Sequence, residues 1–225
     1  MLMHLITTFY QPRSIERRLE LDRCLVRNLK SRHVSHVHLF VDDAAAQRRA
    51  TEIATDIGAA NKTAFVRVGV GPPSYKDLFM CAMSLPPNTE CMIANADVYL
   101  FRRGLIPKRT ALCLSRHEWD FSCPIIANGT LSHDAFVFTT PLPRLDLDRL
   151  PPRQNIAGAE NVTANVLYTA GLALRNPCKT WIIVHEHASA LRTYDETPDA
   201  HLLNQERARR GKPLVPQEWG AFPEV

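Results

Sequence analysis

Apolar runs and amphipathic segments alternate along the first hundred residues of the chain. Four runs of apolar and β-branched residues predict strands, at 4–10, 37–43, 63–70 and 92–100. Three segments between these runs repeat apolar residues at helical spacing and predict helices, at 14–32, 44–57 and 74–85. Ser14 and Asp43 are placed to cap the first two helices, and Gly58 to end the second. This order predicts a parallel α/β sheet with right-handed crossovers.

The second half of the chain alternates less regularly. Strand-like runs occur at 110–116, 124–129, 134–141 and 179–187, and one helical segment at 159–172. A proline-rich connection at 141–153 ends regular structure between them. The segment 199–225 is expected to form a peripheral helix and tail. We therefore expect a sheet that is mostly parallel in its first half and mixed in its second.

The composition indicates one globular domain without a nucleic-acid surface. Of the 225 residues, 45% are hydrophobic and 22% are charged, which argues against disorder, and the length suits a single domain. The formal net charge of +4 suits a small ligand that carries phosphate. The basic residues are too scattered for a nucleic-acid interface, which needs them gathered on one face. We expect no nucleic-acid partner.

The sequence contains no pattern typical of a membrane span or a secretion signal. No run reaches the roughly 18 apolar residues that a transmembrane helix needs, and the first residues read as a strand. Six cysteines are scattered without a CxxC pair, and a chain of this size does not need disulfides for stability. These features predict free thiols in a reducing compartment and a cytoplasmic location.

Polar residues follow the predicted strands of the first half at their carboxyl ends, where open α/β sheets bind ligands. They are Thr7 to Tyr10, Asp42 with Asp43, the 69–75 loop, and Asn95 with Asp97. Asn95 and Asp97 form an N-x-D pattern, and amide and carboxylate oxygens suit a hard divalent cation. Turn formation is the ordinary alternative for Asn and Asp at a strand end.

Two histidines end the last predicted strand. His185 and His187 lie two residues apart, so they would share one face of a strand. Imidazole binds transition metals such as Mn²⁺ or Zn²⁺ and also donates hydrogen bonds to phosphate. A packed structural histidine is the ordinary alternative, and the HExH spacing is not the HExxH of zinc proteases.

Two carboxylates are candidates for proton transfer. Glu160 lies at the start of the helix predicted at 159–172, where the helix dipole favours the ionised form that a base needs. Asp134 lies between two strand-like runs. Their ordinary alternatives are dipole compensation for Glu160 and an Asx turn for Asp134.

The order of these segments resembles the GT-A fold of nucleotide-sugar-dependent glycosyltransferases. Segment 6–29 resembles their first strand and helix, 37–43 their second strand, 93–100 their D-x-D turn, and 158–187 their late helix and histidine-ended strand. Short motifs match a branch of small bacterial and viral proteins: Tyr75 with Asp77, Asn95 to Tyr99, Leu114 to Arg116, Ser132 with Asp134, and His185 to Tyr194. The resemblance implies a Rossmann-like, three-layer α/β/α sandwich.

The resemblance also implies roles for single residues. Asp97 would bind Mn²⁺ or Mg²⁺ with help from His185, and His187 is a further candidate ligand. Asn95 would hold the diphosphate. Because Asn95 stands where the D-x-D pattern has its first aspartate, the metal site would have one carboxylate fewer than the family pattern. Five residues would line the nucleotide pocket: Thr8, Tyr10, Asp42, Tyr75 and Asp77. Glu160 matches the acidic residue at the start of the family's late helix and would act as the catalytic base. Asp134 is the second candidate for this role.

The sequence thus predicts a single GT-A-like domain over 1–225. Residues 1–100 would form the nucleotide-binding half and 101–198 the acceptor and catalytic half. Such an enzyme would transfer a hexosyl or deoxyhexosyl group from a nucleoside diphosphate sugar, with UDP favoured, to a hydroxyl of a glycan or other acceptor. It would act by a metal-assisted, inverting displacement, with Arg116 or Arg192 stabilising the departing diphosphate. The alternatives are a catalytically silent nucleotide-sugar-binding module and a metal-dependent hydrolase or nucleotidyltransferase.

Overall fold

The computed structural model describes residues 3–68, 72–123, 133–142, 144–152, 154 and 159–186. Several predicted features lie outside these residues: the strand at 124–129, His187, Arg192, and the helix and tail at 199–225. Within the described chain, the predicted alternation of strands and helices is confirmed, except that the run at 92–100 forms two strands, Glu90–Ala94 and Val98–Arg102, divided by a turn. None of the helices described is long and apolar enough to cross a membrane.

The described chain contains four α-helices and ten strands. The helices are α1 (Ile15–Lys30), α2 (Ala44–Asp56), α3 (Tyr75–Met83) and α4 (Ala159–Thr169). The strands are β1 (Met3–Phe9), β2 (Val34–Val41), β3 (Thr63–Val68), β4 (Glu90–Ala94), β5 (Val98–Arg102), β6 (Thr110–Leu114), β7 (His117–Glu118), β8 (Ala135–Thr139), β9 (Ala173–Arg175) and β10 (Ile182–His185).

Local capping explains where the first three helices begin. The side chain of Ser14 accepts a hydrogen bond from the Arg17 amide at 3.3 Å, and Asp43 accepts from the Ala46 amide at 2.7 Å. Ser74 opens α3 through a reciprocal capping box. These side chains satisfy amides that have no partner inside the helix, so the predicted caps are confirmed for Ser14 and Asp43.

Seven strands form the main sheet, in the order β3-β2-β1-β4-β8-β6-β9. The strands β3, β2, β1 and β4 are parallel to their neighbours, as the strand–helix alternation predicts. β8 is antiparallel to β4 and to β6, so the second half of the sheet is mixed. The remaining strands form a smaller sheet in the order β5-β10-β7.

Apolar side chains pack on both faces of the main sheet and make it the middle layer of a sandwich. Neighbouring residues of β1 point to opposite faces: Leu5 packs in a core with α1 and α2, and Ile6 packs in a core with α3 and α4. Both residues are fully buried. This arrangement confirms the predicted three-layer α/β/α architecture.

The turn between β4 and β5 directs the chain from the main sheet into the small sheet. The Val98 amide donates to the Asn95 carbonyl at 3.2 Å and closes the turn. The Asn95 amide donates to the Asp134 carbonyl at 3.2 Å, and the Glu186 amide donates to the Asp97 carbonyl at 2.9 Å. The turn is therefore held to the strands on both sides, and Asp97 lies where the two sheets meet.

Candidate functional site

The carboxyl ends of three neighbouring parallel strands lie side by side in the main sheet. Thr8 pairs in register with Phe40 of β2, and Ile6 pairs with Ile93 of β4. Three residues beyond or near these ends are partly exposed: Thr8, Tyr10 and Asp42. With Asn95 after β4, they form the edge at which the sequence predicts a nucleotide pocket.

Asp42 presents a buried acceptor atom at this edge. Its Oδ1 atom is shielded from solvent and accepts no hydrogen bond from the described residues. Burial raises the pKa of Asp42 above its usual value, and the charge of Asp43 acts in the same direction. Because an unsatisfied buried acceptor is costly, Asp42 is suited to accept a hydrogen bond from a ligand.

Asp97 is part of a buried ion pair with the first helix. Arg17 Nη2 donates to Asp97 Oδ2 at 2.5 Å, and Arg17 Nη1 donates to Glu20 Oε2 at 2.9 Å. All three residues are buried. The guanidinium therefore neutralises two carboxylates that would be strongly destabilising without it.

His185 lies between two carboxylates. Its Nε2 is 3.1 Å from Asp97 Oδ2, and its Nδ1 is 3.3 Å from Glu118 Oε2. Burial lowers the pKa of His185, but the hydrogen bond and the charge of Asp97 outweigh burial and raise it above the usual value. The protonated ring can donate from both nitrogens, which suits this position.

Arg116 links Glu118 to Asp134. Its Nε donates to Glu118 Oε1 at 2.9 Å, and its Nη1 donates to Asp134 Oδ1 at 3.2 Å. Asn95 Nδ2 also approaches Asp134 Oδ1, at 3.4 Å. A continuous series of alternating charges therefore runs from Arg17 through Asp97, His185, Glu118 and Arg116 to Asp134.

Glu160 lies in the first turn of α4 and interacts electrostatically with Asp134 and Arg116 of this series. Burial raises the pKa of Glu160 to about 7; its own backbone hydrogen bond and Arg116 oppose the shift, and Asp134 adds to it. A carboxylate with a pKa near 7 is half ionised at neutral pH and can both take and return a proton. The structure thus brings together the two carboxylates that the sequence proposes for proton transfer.

Two residues predicted to line the nucleotide pocket have other roles in the structure. Tyr75 is 1% exposed and packs edge-on against Phe136 in the core. Asp77 Oδ2 accepts from the Ser74 amide and hydroxyl, both at 2.8 Å, and completes the capping box of α3. Packing and capping account for the positions of these two side chains, and contact of either with a nucleotide stays a prediction.

The predicted divalent metal does not fit the described residues as they are arranged. A cation bound to Asp97 Oδ2 would lie against Arg17 and His185, which both donate to that oxygen. The described residues contain no group of three or more His, Cys, Asp or Glu side chains that could hold a metal ion. Metal binding by Asp97 and His185 stays a prediction.

Arg17, Glu20 and Glu118 belong to the site but were not predicted from the sequence. The position of Arg17 could have indicated its role. A cation in the first turn of a helix is unfavourable to the helix dipole, so a nearby anion is expected to compensate it. Nothing in the sequence around Glu118 distinguishes it from an ordinary polar residue in a short strand.

All six cysteines are free thiols, as predicted.

No model of a known protein family matches the chain, and no curated protein matches it. Solved structures match its fold. TarS residues 1–349 from S. aureus, solved with UDP-GlcNAc, align with a TM-score of 0.60 and 12% identity over 98% of this chain and 69% of that one. The mannosyltransferase PcManGT from Pyrobaculum calidifontis, solved with GDP-Man and Mn²⁺, aligns with a TM-score of 0.58 and 14% identity over 96% of this chain and 62% of that one. The chain thus has the mostly parallel α/β architecture of GT-A-like proteins, as the sequence predicts.

Proposed function

We propose that the protein transfers a sugar from a nucleoside diphosphate sugar to a hydroxyl group of a glycan or other acceptor. The observation that carries the proposal is Glu160, a carboxylate with a pKa of about 7 beside Asp134 and Arg116 in a GT-A-like fold. A base with this pKa suits the removal of a proton from an acceptor hydroxyl near neutral pH. Residues 1–100 would bind the donor, and 101–198 would bind the acceptor.

The donor would bind at the carboxyl ends of β1, β2 and β4. Asp42 Oδ1 would accept an N–H of the base, for which uracil is our first choice. Thr8 and Tyr10 would flank the nucleoside, and Asn95 would face the diphosphate. Arg116 would stabilise the charge that develops on the departing nucleoside diphosphate, and Arg192 is a second candidate for this role.

The reaction would be a single displacement with inversion at the anomeric carbon. As the acceptor oxygen bonds to that carbon, the bond from the carbon to the diphosphate oxygen breaks and its electrons leave with the nucleoside diphosphate. The acceptor proton passes to the ionised Glu160. Asp134, held by Arg116 and Asn95, would orient acceptor hydroxyls and is the reserve candidate for the base.

A panel of nucleoside diphosphate sugars with mixed oligosaccharide acceptors tests the proposal. The protein is incubated with each donor, and we expect release of free nucleoside diphosphate together with an acceptor heavier by one sugar in mass spectrometry. Donor binding without turnover would instead indicate a silent binding module. Release of nucleoside monophosphate or phosphate would indicate a nucleotidyltransferase or hydrolase, and failure of every donor to bind would refute the proposal.

The same assay measures whether Mn²⁺ or Mg²⁺ is required. A metal at this site would add positive charge beside the diphosphate, but no step above depends on it. Because Arg17 and His185 already neutralise Asp97, we expect turnover to persist in excess EDTA. Turnover that stops in EDTA and returns with Mn²⁺ would show that transfer needs a divalent metal and would contradict this expectation.

Replacing Asp42 separates donor binding from stability. In Asp42→Ala we expect donor affinity, measured by calorimetry, to fall roughly 10- to 100-fold, as for loss of a hydrogen bond to a charged group. The melting temperature is expected to fall by only a few degrees, because Oδ1 has no partner among the described residues and only hydrogen bonds from neighbouring backbone amides are lost. A lower melting temperature with unchanged donor affinity would contradict the role proposed for Asp42.

A further inference from the structure

A groove of about 630 Å³ lies between the end of α1 and the end of β5. We call it the basic groove because five of its lining residues are cationic: Arg27, Lys30, Arg32, Arg102 and Arg103. Arg17, in the first turn of α1, contacts Asp97, and α1 ends at Lys30. At a rise of about 1.5 Å per residue, Lys30 lies roughly 20 Å along the helix from Arg17. The basic groove is therefore separate from the edge where the donor would bind.

The positive charge of the basic groove is only partly balanced. Arg103 donates to Glu90 at 2.7 Å, and Arg27 lies 3.7 Å from Glu186. No aspartate or glutamate is among the residues that line the groove in the described part of the chain. Lys30, Arg32 and Arg102 are exposed at its rim. Like charges gathered in one concave surface attract anions, so the basic groove is complementary to phosphate groups.

Exposed aromatic side chains adjoin the basic groove. Phe101, which lines it, is 48% exposed, and its ring lies 4.8 Å from that of Phe121, which is 46% exposed. Trp119, two residues before Phe121, is 67% exposed. We call these three residues the aromatic rim. Large rings exposed together next to cations are unusual on a surface that faces only water.

We propose that the basic groove and the aromatic rim dock the protein on a membrane that contains anionic phospholipids. The cations match the phosphates of the headgroups, and Trp and Phe side chains favour the boundary between headgroups and acyl chains. Each Lys or Arg near an anionic membrane strengthens binding by roughly fivefold. A surface with both features suits a bilayer better than a purely ionic partner, which would leave the aromatic rim in water.

The turn that carries the aromatic rim also carries a residue of the candidate site. The Phe121 amide donates to the Glu118 carbonyl at 2.8 Å, and the Glu118 amide donates to the Ser122 carbonyl at 2.8 Å. Glu118 contacts both His185 and Arg116. A membrane bound at Trp119 and Phe121 would therefore lie next to the candidate site.

Vesicle sedimentation tests the proposal with the full chain and no donor. We expect the protein to sediment with vesicles of phosphatidylcholine and phosphatidylglycerol and not with phosphatidylcholine alone. In the triple variant Lys30→Gln, Arg32→Gln, Arg102→Gln, we expect binding to fall roughly 100-fold, from three contributions of about fivefold each. The exposed residues Arg48, Arg144 and Arg149 supply a matched triple change to Gln that removes the same charge elsewhere and is expected to alter binding less than twofold.

The aromatic rim is tested separately. In Trp119→Ser with Phe121→Ser, we expect weaker vesicle binding that stays weaker at high salt, because the lost contribution is apolar. Equal binding by the two triple variants, or no sedimentation of the unaltered protein with anionic vesicles, would overturn the proposal. Tighter binding to a single-stranded oligonucleotide than to vesicles would also overturn it. Since no donor is present, these results leave the proposed transfer reaction untouched.

Discussion

Glu160→Gln is expected to lower the rate of sugar transfer by about 10²- to 10⁴-fold while leaving donor affinity unchanged. Glutamine keeps the size of the side chain but cannot take a proton, and general bases contribute about this much to a reaction rate. The change is measured as turnover with saturating donor and acceptor. Asp134→Asn is the matched control at the reserve position. A large loss in Asp134→Asn with normal turnover in Glu160→Gln would exchange the two roles.

The pH profile gives an independent measurement of the same residue. Because the base must be ionised and burial raises the pKa of Glu160 to about 7, the rate should rise tenfold per pH unit below 7 and level off above it. An ordinary exposed glutamate would give a rate that is already constant above pH 5. The rising limb should disappear in Glu160→Gln.

Arg17→Met is expected to lower the free energy of unfolding by about 3–5 kcal/mol. The substitution removes the cation shared by Asp97 and Glu20 and leaves two carboxylates buried without it. Urea denaturation followed by circular dichroism measures the loss. Lys76→Met is the control, since Lys76 forms an exposed ion pair with Asp148 and its loss should have no measurable effect.

A second variant separates charge from packing at this position. Adding Asp97→Asn to Arg17→Met removes one of the two buried carboxylates that have lost the Arg17 cation, and we expect it to recover part of the lost stability. If Arg17→Met alone left the unfolding free energy unchanged, the ion pair would not stabilise the fold. The expected persistence of turnover in EDTA, which assumes that Arg17 neutralises Asp97, would then lose its support.

Local signals made the order of the elements readable from the sequence. Helix α1 begins after Ser14 and α2 after Asp43, because a side chain next to the helix satisfies its first amides in any tertiary context. Apolar and β-branched runs in the same way predicted six of the seven strands of the main sheet, and the short strand β9 was not predicted. The candidate base Glu160 was also found locally, from its place at a helix start.

The contacts that Tyr75 and Asp77 make within the protein could not be predicted from their motif. The tyrosine is buried because α3 packs on the main sheet against Phe136, and the aspartate is held by Ser74 three residues before it. A motif states which side chains are present, and packing decides whether they face a cavity or the core. The sequence places Tyr10, Asp42 and Asn95 at the carboxyl ends of parallel strands, and the structure adds that these three strands are neighbours in the sheet.

By itself the sequence determined the strand–helix order and the mixed α/β class, because both depend on periodicity and caps within a few residues. It also located the candidate ligand site at the carboxyl ends of the strands. The tertiary structure decided which charges meet at Asp97. Arg17 is 80 positions before it and His185 is 88 positions after it. Both bonds form because α1 packs against β5 and β10 pairs with β5, the strand of the small sheet that begins one residue after Asp97. No local pattern encodes a contact over such a distance, since folding brings these side chains together through the burial of other residues.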